Sequence, residues 1–424
     1  MLFISPVLNA FDLREFTSSD GRKMIAILIS SNGDDVVIKT KSGKEFTIPM
    51  KSLSKADQLY VTEAIENAEI TPKDDPEGLR SNDQIFSGSL DLALEQGKLI
   101  PLVKTPEGSH YSIYIPKSLK KGRLAPLFFY TNSGGGKSGK LLINFKEMAE
   151  VLGWVIAISE ESSNRNTSGT RNSVHSSRCI AHILETLPVD GDRIIYTGVS
   201  GGAATAFHNT VKKRGIAVLS DVAYIPREIS KPKVTYLYAV GGASDYNRYT
   251  TAYAANLFKK NGFHHMVPGK HRHSPDECKQ DGMLWIQSRF YEDKQSKYKD
   301  EAEDFVRHAI IWLKKLSKKD SMRSYANAKV LEKHVKVSSD QAANLGALIS
   351  HLEQDPLNKL YYEGLLELNE LSSKYLDRGK SIGSAYGHIN EKAAKAAKKI
   401  EAKYADIPVL SQIIKGIQSK SQSK

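Results

Sequence analysis

The segment RIIYTGVSGGAATAFH, residues 193–208, restricts the fold of this chain more than any other stretch. An apolar β-rich run reaches Thr197, the residues Gly198, Ser200 and Gly202 fit the pattern GxSxG, and a helix of small residues follows at once. In a nucleophile elbow the glycines relieve crowding around a strained strand-to-helix turn, so that the serine hydroxyl stands exposed above the sheet edge. Ala203 and Ala204 let the following helix pack close. A bare GxSxG is common by chance; the strand before it and the helix after it supply the context that the motif needs.

The surrounding pattern agrees with such a turn. Between about 83 and 290, apolar runs (HYSIYIP, APLFFYT, WVIAIS, RIIYTGVS, IAVLS, VTYLYAV, FHHMV) alternate with helical segments near 141–152, 173–187, 202–213 and 248–260. Uninterrupted apolar strands alternating with helices predict a mostly parallel sheet covered on both faces, with right-handed crossovers. Ahead of it, residues 11–70 read differently. The runs MIAILIS, DVVIKT and EFTIPM are separated by turn chemistry at 32–34 and 42–44, and SLSKADQLYVTEAI reads as a capped helix. That predicts a small antiparallel barrel. Residues 71–82, opening TPKDDPEG, read as a linker. Residues 291–424 carry helical spacing with breaks near Asp320, Asp355, Gly379 and Pro408, and end in QSKSQSK, which reads as disordered.

Composition excludes some functions. No run of the 424 residues approaches the roughly 18 apolar residues of a membrane-spanning helix. The opening MLFISPVLNA ends an apolar stretch on a small residue without a basic start. Residues 1–10 are read as the remnant of a signal peptide, an apolar first strand being the alternative, and the chain as exported to the periplasm or beyond. Cys179 and Cys278 are too few for a disulfide framework or a zinc site; one bridge and two separate thiols both remain open. Residues 287–424 hold 25 Lys plus Arg against 18 Asp plus Glu, more than half of the net charge of +12. This excess is Lys-dominated, with few interleaved aromatics. It predicts solvated helix faces, with contact to an anionic surface and no nucleic-acid partner.

A serine nucleophile needs a base, and the base needs an orienting carboxylate, which in elbow folds follow in the order Ser, acid, His. Asp245 in GGASDYNR follows the run VTYLYAV, at the strand end where open α/β sheets place ligands. Four histidines come next. His264 and His265 sit within the run FHHMV and read as packed strand residues, whereas His271 and His273 lie in the loop after it. Either could reach Ser200; His273 is the preferred base, because HSP after a glycine-containing turn is the more usual form. The HxH spacing with Asp276, Glu277 and Cys278 is a weak metal-ligand set, so no metal is expected. The stretch TNSGGGKSGK, 131–140, looks like the end of a phosphate loop, GxxxxGK[ST], but Thr131 stands where the first glycine is required. Arg165 and Arg171, in a polar loop at a strand end, suit a substrate carboxylate or a plain solvated loop. Trp154 and Trp285 read as core.

Residues 83–289 resemble the α/β-hydrolase superfamily, in particular exported esterases of the polyhydroxybutyrate-depolymerase and feruloyl or acetyl-xylan esterase type. The resemblance rests on VDGDRIIYTGVSGG, GASD and VPGKHRHSP; two departures are the lack of a glycine directly before the histidine and TNSGGG in place of HGGG. It implies hydrolysis of carboxylic esters, polymeric or polysaccharide-linked ones included, through a Ser200–Asp245–His273 triad and an acyl-enzyme. The oxyanion would be held by the N–H of Gly201 and that of Ser133 or Gly134, with Lys137 incidental. No cofactor is implied. A serine peptidase and a catalytically inactive hydrolase-fold adaptor are the alternatives. The first sixty residues are similar to the SH3-like Sla-type homology domain of an endocytic adaptor and of many bacterial exported proteins. The matching residues are Arg14 to Phe16, Asp20 to Arg22, Gly43, Pro49 and Leu53 to Asp57. That likeness implies a peptide or protein partner for the front domain.

Overall fold

The structure, a computed structural model, describes residues 14–31, 34–40, 44–69, 96–120, 122–164, 169–226, 229–230, 232–376 and 390–419. Residues 1–10, read as a signal remnant, residues 71–82, read as a linker, and Gly43, Arg165, Gly379 and the residues from 420 lie outside these residues. The chain divides into two units, Met1–Gly78 and Leu79–Lys424.

In the first unit, β1 (Arg14–Thr17), β2 (Lys23–Ser31), β3 (Asp35–Thr40) and β4 (Glu45–Pro49) form an antiparallel sheet in sequence order, followed by α1 (Lys55–Glu69). Alternate residues face one small core of Phe16, Ala26, Leu28, Val36, Ile38, Leu53 and Val61. Asp57, in the first turn of α1, accepts hydrogen bonds from Arg14 Nη2 (2.8 Å), Thr17 N (2.9 Å) and Ser54 Oγ (2.8 Å), fastening the helix start to β1.

The second unit holds β5 (Leu99–Lys104), β6 (His110–Tyr114), β7 (Ala125–Asn132), α2 (Lys146–Leu152), β8 (Val155–Ser159), α3 (Gly169–Thr186), β9 (Val189–Val199), α4 (Gly201–Lys212), β10 (Ala217–Asp221), β11 (Tyr236–Gly242), α5 (Arg248–Leu257) and β12 (Gly262–Val267). Among the described residues its eight strands form one sheet in the order β12-β11-β10-β9-β7-β8-β6-β5. The pairs β5–β6 and β6–β8 are antiparallel and all others parallel. The mostly parallel sheet expected from the alternating pattern is therefore present. Its strands read as unbroken apolar runs because both faces are covered: on β9, Ile195 and Val199 join the core shared with Phe145 and Trp154, while Ile194 and Tyr196 join that of Ile180, Ile183 and Phe207. The same two-sidedness separates the thiols. Cys179 of α3 packs on the second face and Cys278 on the first, and both are free, which removes the bridge alternative.

Seven helices follow β12 among the described residues: α6 (Asp276–Lys294), α7 (Lys299–Ser317), α8 (Ser321–His334), α9 (Ser339–Leu352), α10 (Pro356–Leu371), α11 (Glu391–Glu401) and α12 (Pro408–Gln418). Their starts follow from capping chemistry. Asp320 accepts from Arg323 N and Asp355 from Leu357 N, and Pro356 and Pro408 open α10 and α12 where no amide donor is needed. Phe305, Leu313, Leu331 and Leu348 join the first sheet face. Leu368, Leu410, Ile413 and Ile417 form a third core with Ala243, Tyr249 and Met266.

Candidate active site

The strand β9 ends at Val199, and Ser200 takes φ 53° and ψ −120°, a conformation that L residues avoid. Gly198 and Gly202 permit the turn. A Cβ on either would sit 2.3 Å or 2.2 Å from the Thr131 carbonyl oxygen, so strand β7 passes too close for any side chain. The Thr131 hydroxyl lies between the carbonyls of Thr197 (3.0 Å) and Gly202 (2.7 Å) and holds that approach together. Ser200 N–H donates to the Asp221 carbonyl of β10 at 2.9 Å, and its hydroxyl caps nothing in α4. The hydroxyl is therefore left for chemistry.

Ser200 Oγ lies 3.0 Å from Nε2 of His271. Nδ1 of His271 lies 3.2 Å from both carboxylate oxygens of Asp245, which is fully buried at the C-terminal end of β11. A carboxylate only accepts, so the ring proton belongs on Nδ1 and Nε2 is the lone-pair acceptor facing the serine. Asn247 N–H donates to Asp245 Oδ1 at 2.8 Å and fixes the carboxylate, and the Tyr246 ring lies tilted against the imidazole at 4.6 Å between centroids. The expectation of His273 is thus corrected. His273 is exposed and makes no hydrogen bond to Ser200; residues 270, 272 and 273 face a cavity on the other side of the loop while His271 turns to the serine. Both ring nitrogens of His271 are thus engaged, one by Ser200 and one by Asp245. His264 and His265 are buried: His264 contacts Thr251 Oγ1 (3.0 Å) and Ser372 Oγ, and His265 lies 2.5 Å from Tyr238 Oη. Burial lowers their pKa values to about 3 and about 4.

The loop TNSGGGKSGK stands beside the elbow, and its amides are largely spoken for. Gly135 N–H donates to the Ser162 carbonyl (2.9 Å), Gly136 N–H to the Glu160 carbonyl (3.2 Å) and Ser138 N–H to Glu160 Oε2 (2.9 Å). The Glu160 carboxylate occupies the space beside Gly136 where an anion would have to lie, so the phosphate-loop reading fails on contacts as well as on Thr131. Ser133 uses its carbonyl to accept from Asn164 N–H (2.8 Å), and the Gly134 amide donates to no protein acceptor among the described residues. Gly201 is the first residue of α4, one of the four helical positions whose N–H has no acceptor within the helix, and the helix dipole adds partial positive charge there.

Three residues near the site carry no role in the sequence reading. Asn164 lies over Gly201, its Oδ1 1.9 Å from where a Cβ would stand, so a side chain at 201 would have to displace it. It belongs to the polar loop noted for Arg165 and Arg171; Arg171 itself lies in α3. Asp221, fully buried, and Lys279, 1 % exposed, pair at 3.3 Å behind the base loop. Burial raises the Asp221 pKa, opposed by the Lys279 charge. The sequence held one signal for Asp221, a carboxylate closing the apolar run AVLSD at a strand end. A cavity of about 580 Å³ opens beside the loop, lined by Tyr130, Leu141, Phe145, Lys270, Arg272 and Val409 among others.

No family model matches the chain, and no curated protein matches it. Solved structures do. They include a hyperthermophilic esterase from the archaeon Pyrobaculum calidifontis (13% identity, 46% of this chain and 86% of that chain, TM-score 0.34). Another is Thermogutta terrifontis esterase 2 phosphonylated by cyclosarin (14%, 50% and 96%, TM-score 0.34). A third is an S-formylglutathione hydrolase from Staphylococcus aureus (10%, 45% and 96%, TM-score 0.36). At these identities and scores the likenesses carry no weight for the function of this chain.

Proposed function

We propose that the chain is a serine hydrolase that cleaves carboxylic esters through Ser200, His271 and Asp245. The observation that carries this reading is the unbroken series of contacts from Ser200 Oγ through the His271 ring to Asp245, mounted on a strained elbow. His271 Nε2 takes the hydroxyl proton as Ser200 Oγ bonds to the ester carbonyl carbon, and Asp245 stabilises the resulting imidazolium. The carbonyl oxygen becomes an oxyanion, for which the N–H groups of Gly201 and Gly134, or Ser133, are the available donors. Losing one such donor typically costs about 2.7 to 4 kcal/mol of transition-state stabilisation. When the C–O bond to the alcohol breaks, Nε2–H returns the proton to the departing oxygen; water then repeats the sequence on the acyl-enzyme and frees the acid. No step calls for a group beyond these side chains and amides.

The strain at Ser200 favours this reading over the inactive adaptor, since a chain without hydrolysis has no use for a serine held at positive φ against an imidazole. The test is labelling by a small fluorophosphonate together with turnover of an ester panel of graded acyl length. Wild type is expected to be labelled and Ser200→Ala not; folded wild type that resists labelling would overturn the proposal. Cleavage of peptides but not esters would leave the triad and replace the substrate class.

A further inference from the structure

The C-terminal end of β10 touches all three arms of the candidate triad. The Asp221 carbonyl accepts from Ser200 N–H at 2.9 Å, at the elbow itself. The carbonyl of the next residue, Val222, accepts from Asn247 Nδ2 at 2.9 Å, and Asn247 N–H in turn holds Asp245 Oδ1 at 2.8 Å. The Asp221 carboxylate reaches the third arm: its Oδ2 accepts from Ser274 N–H at 3.2 Å, three residues beyond His271, and from Lys279 Nζ at 3.3 Å. Lys279 closes the ring by donating to the Ser274 carbonyl at 2.8 Å and pairing with Asp276 at 3.0 Å. Asp221, Asn247, Ser274 and Lys279 are all at least 94 % buried, so water does not compete for these bonds.

Two further features show that this junction is held against a cost. Val222 adopts φ 49°, the left-handed region that a β-branched residue is driven from, and it can stay there only if its surroundings over-determine it. The other carboxylate oxygen of Asp221, Oδ1, is buried and has no hydrogen-bond partner among the described residues. A carboxylate serving only to fasten α6 would be better replaced by an apolar contact, since a buried ion pair is weak evidence for stability and half-satisfied polar groups are expensive.

We propose that the Asp221 side chain is a positioning group for the hydrolysis: while the main-chain carbonyls of Asp221 and Val222 hold the Ser200 amide and Asn247, its carboxylate holds the base loop through Ser274 and Lys279 and so keeps the base in register with nucleophile and acid. It touches neither substrate nor the reacting atoms. It acts by keeping the His271 ring within reach of Ser200 Oγ while Asp245 keeps its tilt, and a misplacement of about 1 Å can cost about a hundredfold in rate. This rests on the hydrolase reading above, and the measurements separate the two.

Asp221→Asn keeps the shape and an acceptor for Ser274 N–H but removes the charge that orders Lys279; Asp221→Asn with Lys279→Met removes both buried charges and serves where the single variant does not fold. Phosphonylation of Ser200 and ester kcat are expected to fall about tenfold to a hundredfold with KM within about threefold. The downfield proton resonance of the His271 Nδ1–H to Asp245 bond is expected to broaden or shift, and this reads the arrangement without turnover. A purely structural role would lower thermal stability and leave rate, KM and resonance as in wild type once the variant is folded; that result overturns the inference. If wild type is not labelled at all, the hydrolase reading falls. The resonance in wild type against Asp221→Asn then still decides whether Asp221 sets the His271–Asp245 geometry: a change supports it, and an unchanged resonance refutes it.

Discussion

Exchanging the two loop histidines one at a time tests the site most directly. His271→Gln removes the atom 3.0 Å from Ser200 Oγ and the donor facing Asp245, whereas His273→Gln alters an exposed residue on the cavity side of the loop. General acid–base catalysis by a positioned side chain contributes about 10² to 10⁴ in rate, which at about 1.4 kcal/mol per tenfold is roughly 3 to 5 kcal/mol of transition-state stabilisation. His271→Gln should lose that amount, with the loss in kcat rather than KM. For His273 to replace it, the loop would have to advance by two residues. That would break the bonds of Ser274 N–H and Lys279 to Asp221, the latter between two buried charges, and breaking a buried pair costs about 3 to 5 kcal/mol. His273→Gln is therefore expected to stay within about threefold of wild type. The assay is the second-order rate of labelling by a small fluorophosphonate, with circular dichroism to show that each variant is folded. A folded His271→Gln that labels normally while His273→Gln does not would refute the reasoning about the loop.

Gly202→Ala should abolish labelling and soluble yield, because the new Cβ meets the Thr131 carbonyl oxygen at 2.2 Å and the Asn132 Cα at 2.9 Å, backbone atoms that no rotamer change can clear; a soluble, active variant would contradict the strand spacing. Acid should weaken the fold through His264 and His265. Both have folded pKa values depressed to about 3 and about 4 against an ordinary 6.5, so the neutral forms stabilise fully above about pH 6.5, and that contribution is lost as pH falls towards the folded values. At pH 5 each costs about 2 kcal/mol relative to pH 7. Urea unfolding of His264→Gln should show a pH dependence smaller by that amount, and an unchanged one would refute the assignment. Arg248→Met should destabilise by several kcal/mol, because it strips buried donors from the carbonyls of Ala243 (2.7 Å), Gly416 (3.1 Å) and Ser419 (3.1 Å), each worth about 1 to 3 kcal/mol when left unsatisfied. Chemical denaturation measures it, and a change under about 1 kcal/mol would count against the clamp.

What could be read in the sequence follows the range of the physics involved. The elbow, the strands and Asp245 were legible because each is a local pattern: apolar runs of strand length, glycines at fixed offsets, a carboxylate just past a strand end. The same reasoning at AVLSD would have brought out Asp221. His271 against His273 was not legible, because loop residues two apart obey no periodicity, and the choice is made by Asp221 and Lys279, one of them some fifty residues away in the chain. Thr131 looked like the flaw in a phosphate loop. Its hydroxyl and carbonyl turn out to face the elbow, and the amides of Gly135, Gly136 and Ser138 are taken by Ser162 and Glu160.

The helices after β12 show why a boundary read from helical spacing need not be a boundary in packing. Their charge is where a solvated face requires it: on α11, Lys392, Lys395, Lys398 and Lys399 are exposed while Ala393 and Ala397 are buried. Their apolar residues belong to the same unit as the site. Leu410, Ile413, Ile414 and Ile417 of α12 are at most 1 % exposed, and full burial of each contributes about 1.5 to 3 kcal/mol. Together that is about 6 to 12 kcal/mol, the size of a typical net folding stability. The same helix also packs directly on the acid loop. Gly416 packs so close that a Cβ would meet Ala243 Cβ at 2.7 Å, and the buried Arg248 guanidinium spans the carbonyls of Ala243, Gly416 and Ser419. The segment that carries Asp245 is thus held between the Asp221–Val222 end of β10 on one side and α12 on the other. An acid loop gripped from both sides keeps a carboxylate still enough to orient an imidazole, and the last helix is part of what grips it.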